Sequence, residues 1–113
     1  MTDNRTEIRF TRPARPIGDA RDLLDAMGQT EGLAGLLLTE TDLAPAFFEL
    51  RTGVAGEVFQ KATNYRLPLA VVVPDPARHG ERFADLASEH RAHNLIRFFT
   101  DETAALAWLE RVG

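Results

Sequence analysis

Three short apolar runs and one short alternating segment, each followed by a stretch whose apolar residues recur every three or four positions, set the limits on what this chain can fold into. Ile8 to Thr11 alternates as a short strand, and Pro13 and Pro16 confine it to a sheet edge or end it. Ala20, Leu23, Leu24 and Met27 then follow at helical spacing, with Gly28 at the stop position. Leu33 to Leu38 reads as a buried strand, and so do Leu67 to Val73 and Leu95 to Phe99. Phe83, Leu86, Ala87 and His90 place a helix over 81–94, and Ala105, Trp108, Leu109 and Val112 place a closing helix over 101–112. Apolar strands alternating with amphipathic helices are what a parallel sheet with right-handed crossovers requires. The expected fold class is therefore α/β: a single small domain with a mostly parallel central sheet of about four strands and helices on both faces.

The longest periodic segment is 44–66, where Phe47, Leu50, Val54, Val58, Ala62 and Tyr65 share one face, and the spacing predicts helix throughout. Pro45 suits a first helical position, but Ala44 is a poor N-cap, which leaves Asp42 or water to cap it. Gly53 and Gly56 each cost about 1 kcal/mol relative to alanine inside a helix, and nothing local explains them. A different reading breaks the segment at Thr52 and Gly53, with Thr52 capping a second helix whose free N–H groups bind an anion.

With 113 residues the chain buries roughly two thirds of the surface it would expose unfolded, enough for one core without staples. It has no cysteine, which removes disulfides, thiolate metal sites and thiol nucleophiles together and fits a reducing compartment. The apolar runs are too short to cross a bilayer, and the charged first ten residues are no signal-peptide core, so the expectation is a soluble cytoplasmic protein. A net charge of −4 disfavours nucleic acid and anionic membranes as partners. The charge is uneven. Residues 1–16 form a short arm carrying Arg5, Arg9, Arg12 and Arg15 against Asp3 and Glu7, ahead of a single domain over 17–113. The arm reads either as an edge strand whose arginines repel edge pairing or as a contact for an acidic partner.

From Phe47 to Arg66 the chain reads Phe-Phe-Glu-Leu-Arg-Thr-Gly-Val-Ala-Gly-Glu-Val-Phe-Gln-Lys-Ala-Thr-Asn-Tyr-Arg. This stretch resembles the signature of the bacterial domain-of-unknown-function family 4180 (DUF4180), which shows Phe-Phe-Asp-Leu, Thr-Gly-x-Ala-Gly-Glu, Gln-Lys and Asn-Tyr-Arg at the same spacings. The resemblance continues through the strand after Arg66 and the Phe98-Phe99 strand. It departs at Ser88-Glu89-His90-Arg91-Ala92, where the family tends to carry Glu-Ser-Asn-Arg-Gly; Arg91 is kept. The family is similar in layout to the anti-sigma-factor-antagonist (STAS) type of α/β domain, which implies a regulatory interaction module at the level of fold.

Three constellations bear on chemistry. Glu49, Thr52, Gly53, Gly56, Gln60 and Asn64 lie beside the apolar stripe of 44–66, and the two glycines remove side chains from one patch. That notch accepts a neighbouring part of the same chain, a second subunit or a small molecule, while Glu57 and Lys61 at four-residue spacing read as a surface ion pair. Glu40, Asp42, Asp75 and Asp101 follow strands, so they share the sheet edge where α/β proteins bind ligands and form a conceivable divalent-cation pocket. Each also has a local use: Asp101 and Asp42 as helix caps, Asp75 as a turn residue between prolines.

The third constellation is histidine. His90 and His93 stand three apart with His79 upstream, short of a third strong metal ligand, and His90 falls on an apolar face where a hydrogen-bonded, half-buried imidazole is ordinary. Ser88 is the only serine, without a nucleophile elbow, and 51–56 lacks the spacing of a nucleotide loop. Phe98 and Phe99 should point to opposite faces of their strand.

These features lead to a non-enzymatic regulatory or protein-interaction domain, homodimeric or bound to another protein, that uses no cofactor or metal. Its recognition face is drawn from Glu49, Thr52, Gly53, Gly56, Glu57, Gln60, Asn64, Tyr65 and Arg66. The competing expectation is a small-ligand or auxiliary enzyme domain, with a pocket at the strand ends formed by Asp75, Gln60, Asn64, Arg66 and His90. What packs around Gly53 and Gly56 separates the two.

Overall fold

Four segments pair side by side in chain order, each parallel to the next. In the computed structural model, which describes residues 10–11, 16–28 and 35–112, they are β1 (Phe10–Thr11), β2 (Gly35–Thr39), β3 (Leu69–Val72) and β4 (Ile96–Phe99). Leu36 stands opposite Leu69, and Leu69 opposite Ile96, so the three longer strands are in register across the centre. The expected edge strand is present for Phe10 and Thr11, which pair with Gly35 and Leu36. Ile8, Pro13, Leu33, Ala34 and the four arginines of the N-terminal arm lie outside the described residues.

Helices α1 (Ala20–Gly28), α2 (Pro45–Phe48), α3 (Val54–Asn64), α4 (Glu81–Glu89) and α5 (Glu102–Val112) complete the fold. When strands follow one another in order and every crossover is right-handed, the crossover helices fall on one face. That face holds the larger core, in which Leu36, Leu38, Leu69, Val71, Ile96 and Phe98 meet residues of α1 to α4. The alternate strand residues Leu37, Ala70 and Val72 point the other way and, among the described residues, meet α5 through Ala105, Trp108 and Leu109. Among the described residues both faces are thus covered, one by four helices and one by a single helix. Phe98 and Phe99 separate onto the two faces as the strand period requires.

Two helix starts have local causes. Asp19 Oδ1 accepts the Asp22 N–H at 3.0 Å while Asp22 Oδ2 accepts the Gly18 N–H at 2.7 Å, a reciprocal cap for α1. Asp101 Oδ1 accepts the Ala104 N–H at 2.8 Å and caps α5, as its position after a strand implied.

The segment 44–66 is not one helix. It divides into α2, a 3₁₀ turn over Leu50–Thr52, and α3, with Gly53 between them at φ +79°. The Thr52 hydroxyl lies 2.7 Å from the carbonyl oxygens of Ala46 and Glu49 and accepts the Val54 N–H at 3.3 Å, so it ties down the break, but the N-cap of α3 is Gly53 rather than Thr52 as the alternative reading had it. The bend turns Phe47 into the core, where it meets Phe59 and Phe83 edge to face. Asp42 does not cap α2: its Oδ2 accepts from Thr39 N and Thr39 Oγ1 and fastens a 3₁₀ turn over Glu40–Asp42 instead.

Three further expectations change. α4 stops at Glu89 rather than reaching 94, because the chain folds back and the His90 carbonyl accepts the Phe98 N–H. Val112 is 41% exposed at the last turn of α5, beyond the reach of the sheet. Tyr65 is 58% exposed rather than part of the apolar stripe, because α3 ends at Asn64. There the Arg66 N–H bonds to the Thr63 carbonyl and the Leu67 N–H to the Ala62 carbonyl, a Schellman closure with Arg66 at φ +54° in the place glycine usually takes.

Candidate functional site

The outer face of α3 carries most of the recognition residues expected from sequence. Ala55, Val58, Phe59 and Ala62 face the core, which leaves Gly56, Glu57, Gln60, Thr63 and Asn64 in solvent at helical spacing. Thr52, Gly53, Tyr65 and Arg66 extend this face at its two ends, and Glu49 is exposed beyond the 3₁₀ turn, 3.4 Å from Arg51. A Cβ placed on Gly53 or Gly56 would meet nothing within 4 Å, so no part of the described chain fills the notch. The two glycines have different causes. Gly53 supplies the left-handed backbone at the helix break, whereas Gly56 is an ordinary helical residue with open space above it.

The polar groups on this face are lightly engaged. Gln60 Nε2 reaches Asn64 Oδ1 at 3.4 Å, and among the described residues no ion pair joins Glu57 to Lys61. The expected i,i+4 pair is absent because an exposed pair returns too little to hold two long side chains in one geometry.

The pocket expected from Asp75, Gln60, Asn64, Arg66 and His90 does not assemble. Gln60, Asn64 and Arg66 precede β3 and lie toward the N-terminal edge of the sheet, whereas Asp75 follows β3 at the opposite edge. His90 is half-buried, with Nδ1 2.9 Å from the Leu86 carbonyl and its ring against Phe59. It is the ordinary hydrogen-bonded imidazole that its position suggested.

The carboxylate row does lie along the C-terminal edge, but its members are largely engaged. Asp42 fastens the 3₁₀ turn after β2, Asp101 caps α5, and Glu40 Oε2 lies 2.5 Å from His79 Nε2. The His79 ring is stacked on Phe48 at 3.9 Å and meets the edge of Phe83. Thr39, Glu40, Asp101 and Glu102 border a cleft of about 380 Å³ on the α5 side. No group of three histidine, aspartate or glutamate side chains converges on a cation position among the described residues. No helix among them is long and apolar enough to cross a membrane.

A second cleft, of about 320 Å³, runs between α4 and the outer edge of β4. Ala84, Ala87 and Phe98 are among its apolar lining residues, with Pro76, Ala77 and Phe99, and Asp75, Ser88, Arg91 and Thr100 supply its polar groups. Sequence reasoning missed the pairing of Glu40 with His79 and the meeting of Asp75 with Arg91 at this cleft. Both join loops after different strands or helices, and the one available signal was that Glu40, Asp75 and His79 all follow strand ends.

The family model described as domain of unknown function (DUF4180) matches residues 2–109. The chain belongs to this family. The match spans the sheet, α1 to α4 and most of α5, so the family pattern describes the whole fold rather than the stretch around α3 alone. A search of the curated proteins found no match, and a search of the solved structures found none.

Proposed function

We propose that this protein is a regulatory interaction module that associates with a second copy of itself through the outer face of α3. The observation that carries the reading is Gly56, a helical glycine with open space above it and no conformational requirement of its own. It costs about 1 kcal/mol of helix stability relative to alanine, and a close backbone approach from outside is the use that such a position has.

The chemistry of the face favours a second copy as the occupant. Gln60 and Asn64 carry side-chain amides that both donate and accept, so each complements itself across a two-fold axis. Acidic Glu57 lies toward the start of α3, and basic Lys61 and Arg66 lie toward its end. An antiparallel pairing about an axis near Gln60 turns Glu57 of each copy toward the basic end of the other. Tyr65, 58% exposed, adds an amphipathic ring at the margin of the same face.

Sedimentation velocity and light scattering over a concentration series test the reading. A reversible dimer is expected, and Gly56→Leu should abolish it while leaving the melting temperature of the monomer unchanged or higher. A strict monomer at high concentration overturns the proposal. So does a Gly56→Leu variant that keeps the dimer, or that loses folding and association together.

A further inference from the structure

The cleft between α4 and β4 has a chemistry of its own, separate from the face of α3. β4 is the last strand in the sheet order, and among the described residues no further strand covers its outer edge. Ile96, Phe98 and Thr100 direct their backbone groups toward that edge, because Leu95 and Phe99 use theirs on β3. The fold-back after α4 covers part of it: His90 takes the Phe98 N–H, and His93 Nδ1 accepts the N–H groups of Leu95 and Ile96. This brings Arg91 to the mouth of the cleft, while Asp75, after β3, stands on its rim from the other side.

Neither charged group is engaged. Among the described residues Asp75 and Arg91 make no side-chain hydrogen bond or ion pair, with each other or with anything else. The same cleft is lined by apolar residues, Ala84, Ala87 and Phe98 among them. Two uncompensated opposite charges around an apolar hollow complement a molecule with opposite charges at one end and an apolar body at the other. A guanidinium binds a carboxylate through paired N–H groups, and a carboxylate accepts from an ammonium group. The cleft volume, about 320 Å³, is at the small end of ligand sites and suits a single residue rather than a nucleotide or a folded partner.

From this geometry we infer that the α4–β4 cleft binds an apolar α-amino acid, its carboxylate on Arg91, its ammonium group on Asp75, and its side chain against Ala84, Ala87 and Phe98. The free Thr100 N–H at the open edge offers the carboxylate a further donor. The site does not depend on the dimer proposed above, since α3 contributes no residue to its lining.

Titration of the full chain with L-leucine and L-phenylalanine, followed by calorimetry and by amide chemical shifts, tests the inference. Saturable binding is expected, with shifts concentrated at residues 75–77, 84–91 and 98–100. Leucinamide and N-acetyl-leucine, which each lack one charge, should bind at least about tenfold more weakly, as should L-leucine to Arg91→Gln or Asp75→Asn. Ala84→Leu should remove binding by filling the cleft with both charges in place. Both charge variants lie on the surface, so their folding, checked by circular dichroism, should match the parent chain. Absence of saturation by either amino acid overturns the inference. So does leucinamide binding as tightly as leucine, or affinity unchanged in both charge variants. Binding of peptides ending in an apolar residue without binding of free amino acids overturns it too, and would assign the cleft to strand addition on β4.

Discussion

Glu40 Oε2 and His79 Nε2 meet at 2.5 Å across 39 residues of chain, joining the turn after β2 to the turn after β3. Both side chains are mostly shielded, at 29% and 21% exposure, and the imidazole is held from one side by Phe48 and from its edge by Phe83. The contact therefore combines a hydrogen bond with aromatic packing, and it links the turns that follow two adjacent strands. Removing the imidazole by His79→Ala should lower stability by about 1 to 2 kcal/mol. Glu40→Ala should cost less, since it spares the stacking on Phe48. A double-mutant cycle by urea denaturation should return a coupling of about 1 kcal/mol, and a coupling near zero would show that the two side chains act independently.

Gly53 and Gly56 should respond in opposite directions to alanine. At Gly53 the left-handed backbone opposes a Cβ, and Gly53→Ala should destabilise by about 1 to 2 kcal/mol. At Gly56 the helix is regular and the space is open, so Gly56→Ala should stabilise the monomer by about 0.5 to 1 kcal/mol. Thermal melts at a concentration below that of association measure both, and a loss at both positions would contradict the assignment of Gly56.

Arg66 is a non-glycine residue in the left-handed region at the end of α3, with its side chain in solvent. Arg66→Gly should raise stability by roughly 0.5 to 1 kcal/mol by relieving the backbone. A shift of the urea midpoint to lower concentration would show that the arginine side chain contributes more than the strain removes.

Among the described residues α5 is the helix that covers its face of the sheet without a second one to share the load. Trp108 is 2% exposed, with Phe99 near one side and the Arg97 guanidinium 5.1 Å from its ring. Trp108→Ala should cost about 3 to 5 kcal/mol through the cavity it leaves. Asp101→Ala, which removes only the N-cap of the same helix, should cost about 1 kcal/mol. If the two losses proved equal, α5 would be held by its cap rather than by its packing.

The order of elements was legible because each one announces itself within a few residues. Leu67 to Val73 reads as a buried strand, and Asp101 stands where a cap belongs. Continuous helix over 44–66 was the main expectation because Phe47, Leu50, Val54 and Val58 keep helical spacing straight across Gly53, and the observed break matches the other reading, which divided the segment at Thr52 and Gly53. Periodicity reports which side of a segment is apolar and is blind to one residue of positive φ. The same limitation placed Tyr65 inward, since the stripe continues in sequence for one position after the helix has ended.

The alternation of buried strands with amphipathic helices, the caps, and the exposed polar stripe from Gly56 to Asn64 were determined by the sequence alone, because each depends on neighbours within one or two turns. The pairing of Glu40 with His79, the meeting of Asp75 and Arg91 at one cleft, and the separation of Asp75 from Gln60, Asn64 and Arg66 were decided only in the tertiary structure. Those relationships follow from the order in which strands lie side by side. That order is set by many weak apolar contacts summed over the sheet, and no single stretch of chain encodes it.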